Sequence, residues 1–89
     1  MPAKKPPRAQ QVVTTPAQIG EIIRGRRKAR GLSQAELARR VGLSQSRLSI
    51  LESDPSSVSL DQLILLVKLL GLELVIMDKA EERPTRAQW

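Results

Sequence analysis

The segment LSQAELARRVGLSQSRLSILES, residues 32–53, decides the fold that this chain is expected to adopt. It opens with a capping box, in which Ser33 caps a helix and Glu36 reaches back to it, and Gly42 stops that helix. Ser44 then opens a second short helix. Because only a tight turn separates the two helices, the segment has the spacing of a helix-turn-helix, a motif whose second helix enters the major groove of DNA.

The packing of these two helices follows from a few positions near the turn. Ala38 lies where the first helix must approach the second, so a small side chain is needed there. Gly42 is expected to adopt a positive φ, which glycine tolerates without steric cost. The aliphatic side chains expected to face inward are Val41, Leu48 and Leu51.

Two further helices are predicted on either side of this pair. The sequence TPAQ at 15–18 reads as a helix start with proline at the first position, and it predicts a helix over 16–30 that Gly31 ends. The sequence SLDQ at 59–62 is another capping box and opens a last helix that Gly71 ends. The expected apolar face of that helix holds Leu60, Leu63, Leu66, Val67 and Leu70.

The pattern changes after Gly71, where LELVIMD at 72–78 alternates weakly and is rich in Leu, Val and Ile. We interpret it as one β-strand, because it is too short for its own helix and follows a helix stop. A lone strand leaves backbone N–H and C=O groups unpaired, and residues 1–71 show no second strand pattern. The simplest partner is the same strand of a second copy, which predicts a homodimer formed through Leu72, Glu73, Leu74, Val75, Ile76 and Met77. The alternatives are a continued last helix or an extended tail that packs on the domain.

Length, charge and composition narrow the class of protein. The 89 residues suggest one domain, and a net charge of +6 favours a polyanionic partner such as nucleic acid. We expect a flexible basic arm at 1–14, a DNA-binding and dimerisation domain at 15–78 and a flexible tail at 79–89. No stretch has the length and apolarity of a membrane span, and the N-terminus lacks the apolar region of a secretory signal, so a cytoplasmic protein is expected.

Catalysis is not expected from this composition. The chain has no His and no Cys, which excludes disulfides and removes the common nitrogen and sulfur ligands of metals. Its serines stand at helix caps with no base beside them, and no Gly-rich phosphate loop is present. The sequence therefore predicts a protein that is not an enzyme and needs neither a metal nor another cofactor.

Residues 15–71 resemble the helix-turn-helix domain of lambdoid phage repressors and of the wider XRE family. The residues that match this family's pattern are Gln34, Glu36, Leu37, Ala38, Gly42, Leu48 and Glu52. The resemblance implies a mainly α, lambda-repressor-like domain of four to five helices that binds double-stranded DNA at a palindromic operator. With the predicted C-terminal β-strand, such a domain would pair across a homodimer. A helical hairpin that binds no DNA is the alternative for the motif.

The resemblance also implies which side chains meet the bases. Carried over by position, the residues expected in the major groove are Ser44, Gln45, Ser46, Arg47 and Ser49. Gln45 is the best candidate to read a base, because its amide can bond N6 and N7 of adenine together. Arg47 either reads guanine or holds a phosphate, and the sequence leaves both roles open.

A basic segment, RGRRKAR at 24–30, belongs to the first helix. Some of its residues are expected to form only a solvated face. Arg27 has a structural role in the resemblance, which implies a salt bridge to Glu52 at the end of the motif. Arg26 lies on the apolar stripe of the helix, so its stem is expected to cover the core edge while its head reaches water. The side chains expected to contact phosphates are Arg24, Lys28, Gln34, Arg39 and Arg40.

The order of arm, helices, LGLELVIMD, charged tail and terminal Trp resembles the HipB family, the antitoxins of HipBA toxin–antitoxin pairs. This resemblance implies a dimer that represses its own operon and neutralises a HipA-like Ser/Thr kinase toxin. Trp89, the single aromatic residue, would then anchor the tail in a pocket of the toxin. An incidental Trp at a disordered end is the alternative reading of Trp89. For the whole chain, the alternatives are an XRE repressor without a toxin partner and a helical interaction adaptor that binds no DNA.

Overall fold

The computed structural model describes residues 10–79, and this part of the chain is mainly helical. Helix α1 spans Pro16–Ala29, α2 Gln34–Arg40, α3 Gln45–Ser53 and α4 Leu60–Leu69, with a 3₁₀ turn at Pro55–Ser57 before α4. The four α-helices match the predicted ones to within a residue or two at their ends. Residues 1–9 of the expected arm, residues 80–89 of the expected tail and the expected role of Trp89 lie outside the described residues.

Local sequence signals set the ends of these helices. At α2, Ser33 Oγ accepts the backbone N–H of Glu36 at 3.0 Å, and the Glu36 carboxylate accepts the backbone N–H of Ser33 at 2.8 Å. Ser59 and Gln62 form the same reciprocal pair at the start of α4. Gly42 follows α2 with a φ of 74°, in the left-handed region that favours glycine. The predicted capping boxes and the turn glycine are therefore confirmed.

The core lies between the helix-turn-helix pair and the two flanking helices. Its buried hydrophobic residues are Ile23, Leu37, Ala38, Val41, Leu48, Leu51, Leu66 and Leu70. The prediction that Leu60 faces inward is wrong, because this side chain is 65% exposed. Leu60 is the first residue of α4, whereas the buried leucines lie towards the other end, Leu66 within the helix and Leu70 directly after it.

Helix α1 packs directly on the end of α3. Gly20 is buried in α1, and a Cβ added to it would overlap the backbone carbonyl oxygen of Glu52 in α3. The absence of a side chain at Gly20 therefore allows the two backbones to meet. This contact brings the basic helix α1 against the closing residue of the helix-turn-helix.

The chain leaves α4 at Gly71, which has a φ of 75°, so the alternative of a continued last helix is excluded. The backbone N–H of Leu72 donates to the carbonyl of Val67 at 2.9 Å and completes the helix end. Residues 72–79 form neither helix nor strand in this single copy, and the paired strand stays a prediction. Within residues 10–79, no helix is both long enough and apolar enough to cross a membrane.

Candidate nucleic-acid interface

Helix α3 is buried on one side and open on the other. Leu48 and Leu51 are fully buried, whereas Gln45, Ser46 and Ser49 are exposed. The open side therefore carries amide and hydroxyl groups. These are the groups that can form hydrogen bonds with the edges of base pairs.

The start of α3 is held by Ser44, which is exposed. Its Oγ accepts the backbone N–H of Arg47 at 3.0 Å, so this serine is the N-cap of the helix. An accepting hydroxyl keeps its own hydrogen as a donor. Ser44 can therefore cap the helix and donate to a phosphate or base at the same time, which fits the expected position at the groove.

Arg47 is directed away from the open side of α3. Its Nη2 donates to the carbonyl oxygen of Ser57 in the 3₁₀ turn at 2.9 Å, and the residue is half-buried. The sequence left a base or a phosphate as the target of Arg47, and it did not anticipate this contact. In the structure this hydrogen bond connects α3 to the segment that leads to α4.

Gln34, the first residue of α2, is also half-buried. Its Nε2 donates to Oε1 of Glu52 at 3.1 Å, a contact that the sequence did not predict. An amide nitrogen has two N–H donors, and this bond uses one of them. The contact fixes the direction of the side chain, and one donor is left for the expected phosphate.

The salt bridge implied between Arg27 and Glu52 is present in the structure. Arg27 Nε lies 2.7 Å from Oε2 of Glu52, and Nη2 lies 3.1 Å from Oε1. Both residues are buried, and the hydrogen bond from Arg27 to the Glu52 carboxylate raises the pKa of Arg27. Arg27 Nη1 also donates to the carbonyl of Leu32 at 2.9 Å. The pair therefore ties α1 to α3 and to the segment before α2.

The basic segment 24–30 separates into groups with different surroundings. Arg26 is exposed as expected, but its Nε donates to the carbonyl oxygen of Leu70 at 3.0 Å, and Arg30 Nη1 donates to the same oxygen at 3.3 Å. Two cations thus stabilise the negative end of α4. Arg24 and Lys28, one helical turn apart, are exposed on α1. No local sequence signal marked this division, because it depends on where α4 ends in space.

Arg39 and Arg40 lie in the last turn of α2, immediately before the turn that leads to α3, and both are exposed. Glu36 belongs to the same helix, and its pKa is lowered chiefly by the hydrogen bond from the backbone of Ser33, with a smaller contribution from the two arginines. The described part of the chain thus places basic side chains of α1 and α2 on the same small domain as the polar side of α3.

The structure has two short helices joined by a glycine turn, a polar exposed side on the second helix, and exposed basic residues on the two helices that pack against it. Together these features define a DNA-binding helix-turn-helix domain. A family model described as "Helix-turn-helix" matches residues 23–76, which is more than half of the chain. The chain belongs to this helix-turn-helix family.

Within that family the chain is similar to antitoxins of Escherichia coli. It is 27% identical over 78 residues to Antitoxin HipB of the O6:H1 strain, across 88% of this chain and 83% of the relative. It is 26% identical over 74 residues to Antitoxin HipB of strain K12, across 83% and 84% of the two chains. The similarity therefore extends well beyond the helix-turn-helix segment.

Solved structures of HipB are similar to this chain in fold. A chain of the HipA-HipB-O2-O3 complex superposes with a TM-score of 0.70 and 26% identity, over 78% of this chain and 97% of the other. The HipB-O4 20mer complex gives a TM-score of 0.70 and 26% identity, over 81% of this chain and 100% of the other. Nearly the whole of each solved chain thus has a counterpart here.

Proposed function

We propose that this chain is the antitoxin of a HipBA-type pair, a dimeric repressor that binds its own operator and neutralises a HipA-like Ser/Thr kinase. The observation that carries the proposal is the similarity to HipB antitoxins over more than four-fifths of both chains. The solved relatives include HipB in complex with HipA and with a 20mer. The role is one of binding, without catalysis by this chain.

In this proposal α3 enters the major groove and its exposed side reads the operator. Gln45 bonds an adenine through its amide, and the short side chains of Ser44, Ser46 and Ser49 allow close approach. Arg47 joins them only after it leaves the Ser57 carbonyl to which it is bonded in this structure. The residues proposed to hold the phosphates are Arg24, Lys28, Gln34, Arg39 and Arg40.

The dimer is proposed to form through residues 72–77. Four consecutive apolar side chains are exposed there in the single copy: Leu74 at 50%, Val75 at 63%, Ile76 at 97% and Met77 at 66%. A continuous apolar run of this kind is rare on the surface of a monomer and is typical of an interface. Antiparallel pairing of two such segments would satisfy their backbone N–H and C=O groups and bring apolar side chains of the two copies into contact on each face of the ribbon. The proposed dimer holds the two recognition helices about 34–36 Å apart, as a palindromic operator requires.

Ile76→Lys tests the dimer without disturbing the core, because Ile76 is almost fully exposed in the single copy. Sedimentation at micromolar concentration should show a dimer for the wild type and a monomer for the variant. Leu60→Lys is the matched control, since it charges another exposed leucine outside the segment and should remain dimeric. A monomeric wild type would contradict the proposed dimer.

Capture of partners with the full chain in its native host tests the antitoxin role. Recovery of a kinase-like protein supports it, whereas recovery of operator DNA without such a protein indicates a repressor that has no toxin. Binding of DNA is measured in parallel by gel shift on the duplex upstream of the chain's own gene.

Deletion of Trp89 should weaken toxin binding and leave DNA binding intact, because the tail is proposed to anchor in the toxin.

A further inference from the structure

Ile50 is the one large apolar side chain exposed on α3, and 50% of its surface is accessible. It lies two residues from Leu48, which is fully buried, and therefore on the opposite side of the helix. Ser46 lies one turn before Ile50 on that same side. The isoleucine thus lies at one edge of the exposed side of α3, between Ser46 and the half-buried Arg47 around the helix, and this side is the one that the proposed function directs into the major groove.

The neighbours of Ile50 are short or engaged elsewhere. Ser46 and Ser49 carry only hydroxyl groups, and the hydroxyl of Ser53 donates back to the carbonyls of Ser49 and Ile50 at 3.3 and 3.1 Å. Arg47, the longest side chain nearby, is bonded to the Ser57 carbonyl. Ile50 therefore projects further from this side of α3 than the serines around it.

The fold itself gives no reason for an isoleucine at this position. The side chain is not part of the core, and a β-branched residue is a poorer helix former than Ala, Leu or Gln at an exposed site. The apolar group that base pairs present in the major groove is the 5-methyl of thymine. Contact with that methyl would remove apolar surface of Ile50 from water when DNA binds.

We propose that Ile50 is a specificity-determining residue that contacts a thymine methyl in each half-site. The inference rests on the proposed DNA-binding function, and it adds an apolar contact to the hydrogen bonds of Gln45 and the serines. Loss of one buried methyl group weakens binding by about fourfold. A base pair with thymine at the contacted position would thus be preferred over the same pair with uracil by about this factor.

The experiment uses the full-length chain and the duplex that it selects from a random pool. Each thymine of that duplex is replaced in turn by uracil, which keeps its base-pairing groups and lacks only the methyl. At one position in each half-site, replacement of thymine by uracil should weaken the binding of the wild-type protein to the duplex by about fourfold. Ile50→Ala should bind the thymine and uracil duplexes equally well, and it should stay folded, since alanine favours an exposed helical site.

Leu60→Ala is the matched control, because it removes an exposed leucine outside α3 and should keep the thymine preference of the wild type. Binding without any thymine preference, or a preference that persists in Ile50→Ala, would overturn the inference and point to a protein partner for Ile50. Selection of no duplex at all would instead overturn the proposed DNA-binding function. The two failures are therefore distinguishable.

Discussion

Arg27 of α1 and Glu52 of α3 form a bidentate ion pair, in which Arg27 Nε lies 2.7 Å from Glu52 Oε2 and Arg27 Nη2 lies 3.1 Å from Glu52 Oε1. Only 7% of Arg27 and 6% of Glu52 are exposed. Gln34 of α2 donates to the same carboxylate at 3.1 Å, so three helices meet at Glu52. The carboxylate thus fixes the orientation of the candidate recognition helix relative to the two helices that carry the proposed phosphate contacts.

Arg27→Met tests how much this ion pair contributes to the free energy of unfolding. The methionine keeps most of the apolar stem but leaves the Glu52 carboxylate buried, with Gln34 as its remaining side-chain partner among residues 10–79. Removal of one partner from a buried ion pair costs about 3–5 kcal/mol, so we expect a loss of about 3 kcal/mol in the free energy of unfolding. Urea denaturation followed by circular dichroism measures this change.

Arg24→Met is the matched control, because it makes the same substitution at an exposed position of α1. It should change the free energy of unfolding by no more than about 0.5 kcal/mol. Equal losses for the two variants would show that the ion pair contributes nothing beyond the general effect of removing a charge from α1.

Gly20 and Gly25 make a second matched pair on α1. Gly25→Ala should stabilise the protein by about 0.5–1 kcal/mol, because no atom of residues 10–79 lies within 4 Å of the added Cβ and alanine favours the helix. Gly20→Ala gains the same propensity, but its Cβ would overlap the backbone carbonyl of Glu52 and force α1 away from α3. We expect the free energy of unfolding to fall by about 1 kcal/mol or more, as measured by thermal denaturation. A gain at both positions would contradict the close packing of the two helices.

The helices and their ends were predictable because their signals are local. Ser33 with Glu36 and Ser59 with Gln62 each form a capping box within four residues, and Gly42 supplies the turn conformation by itself. Each of these features depends on neighbours in sequence rather than in space. The same holds for the buried aliphatic positions of α2 and α3, which follow from helical spacing.

The contacts that shape the site were not predictable in the same way. Arg26 donates to Leu70, Gln34 to Glu52 and Arg47 to Ser57, and the first of these pairs is separated by 44 residues in sequence. Many side chains of suitable length could reach a given carbonyl or carboxylate, and the packing of the helices decides which one does. The Arg27–Glu52 pair was foreseen only through resemblance to a known family.

Acid is expected to weaken the cap of α2. The hydrogen bonds from Ser33 lower the pKa of Glu36 below its ordinary value of 4.5, so the carboxylate form stabilises the folded state. This contribution is present above pH 4.5 and is lost as the pH falls through the lowered pKa in the folded state. The thermal stability of the wild type should therefore exceed that of Glu36→Gln at pH 7, and the difference should shrink as the pH falls below about 4.5.

The comparison with Glu36→Gln isolates this one group. Asp54 also has a lowered pKa, because its carboxylate accepts hydrogen bonds from the hydroxyl and the backbone N–H of Ser56, but it is present in both proteins and its effect cancels in the difference. A difference that stays constant from pH 7 to below the folded pKa would show that protonation of Glu36 does not affect the cap.

Gln45→Ala tests the proposed reading of a base. Gln45 is exposed in the first turn of α3, so its loss should not disturb the core. Binding should weaken by about 1–3 kcal/mol on the preferred operator, and discrimination at one base position should be lost. Gel-shift titrations on the operator, on single-base variants and on an unrelated duplex measure this. An equal loss on every duplex would assign Gln45 to phosphate contact instead.

The salt dependence of DNA binding separates two classes of arginine and lysine on α1. Arg24 and Lys28 are exposed and are proposed to contact phosphates, whereas Arg26 and Arg30 donate to the Leu70 carbonyl. Each phosphate contact contributes about 0.9 to the slope of log K against log salt concentration, so Arg24→Gln with Lys28→Gln should lower the slope by about 1.8 per subunit. Fluorescence anisotropy on the operator over a range of salt concentrations gives the slope.

The control is Arg26→Gln with Arg30→Gln, which removes the same charge from the same helix and should leave the slope nearly unchanged. If both pairs lowered the slope equally, the charge of the whole domain, and not its placement on α1, would govern the affinity.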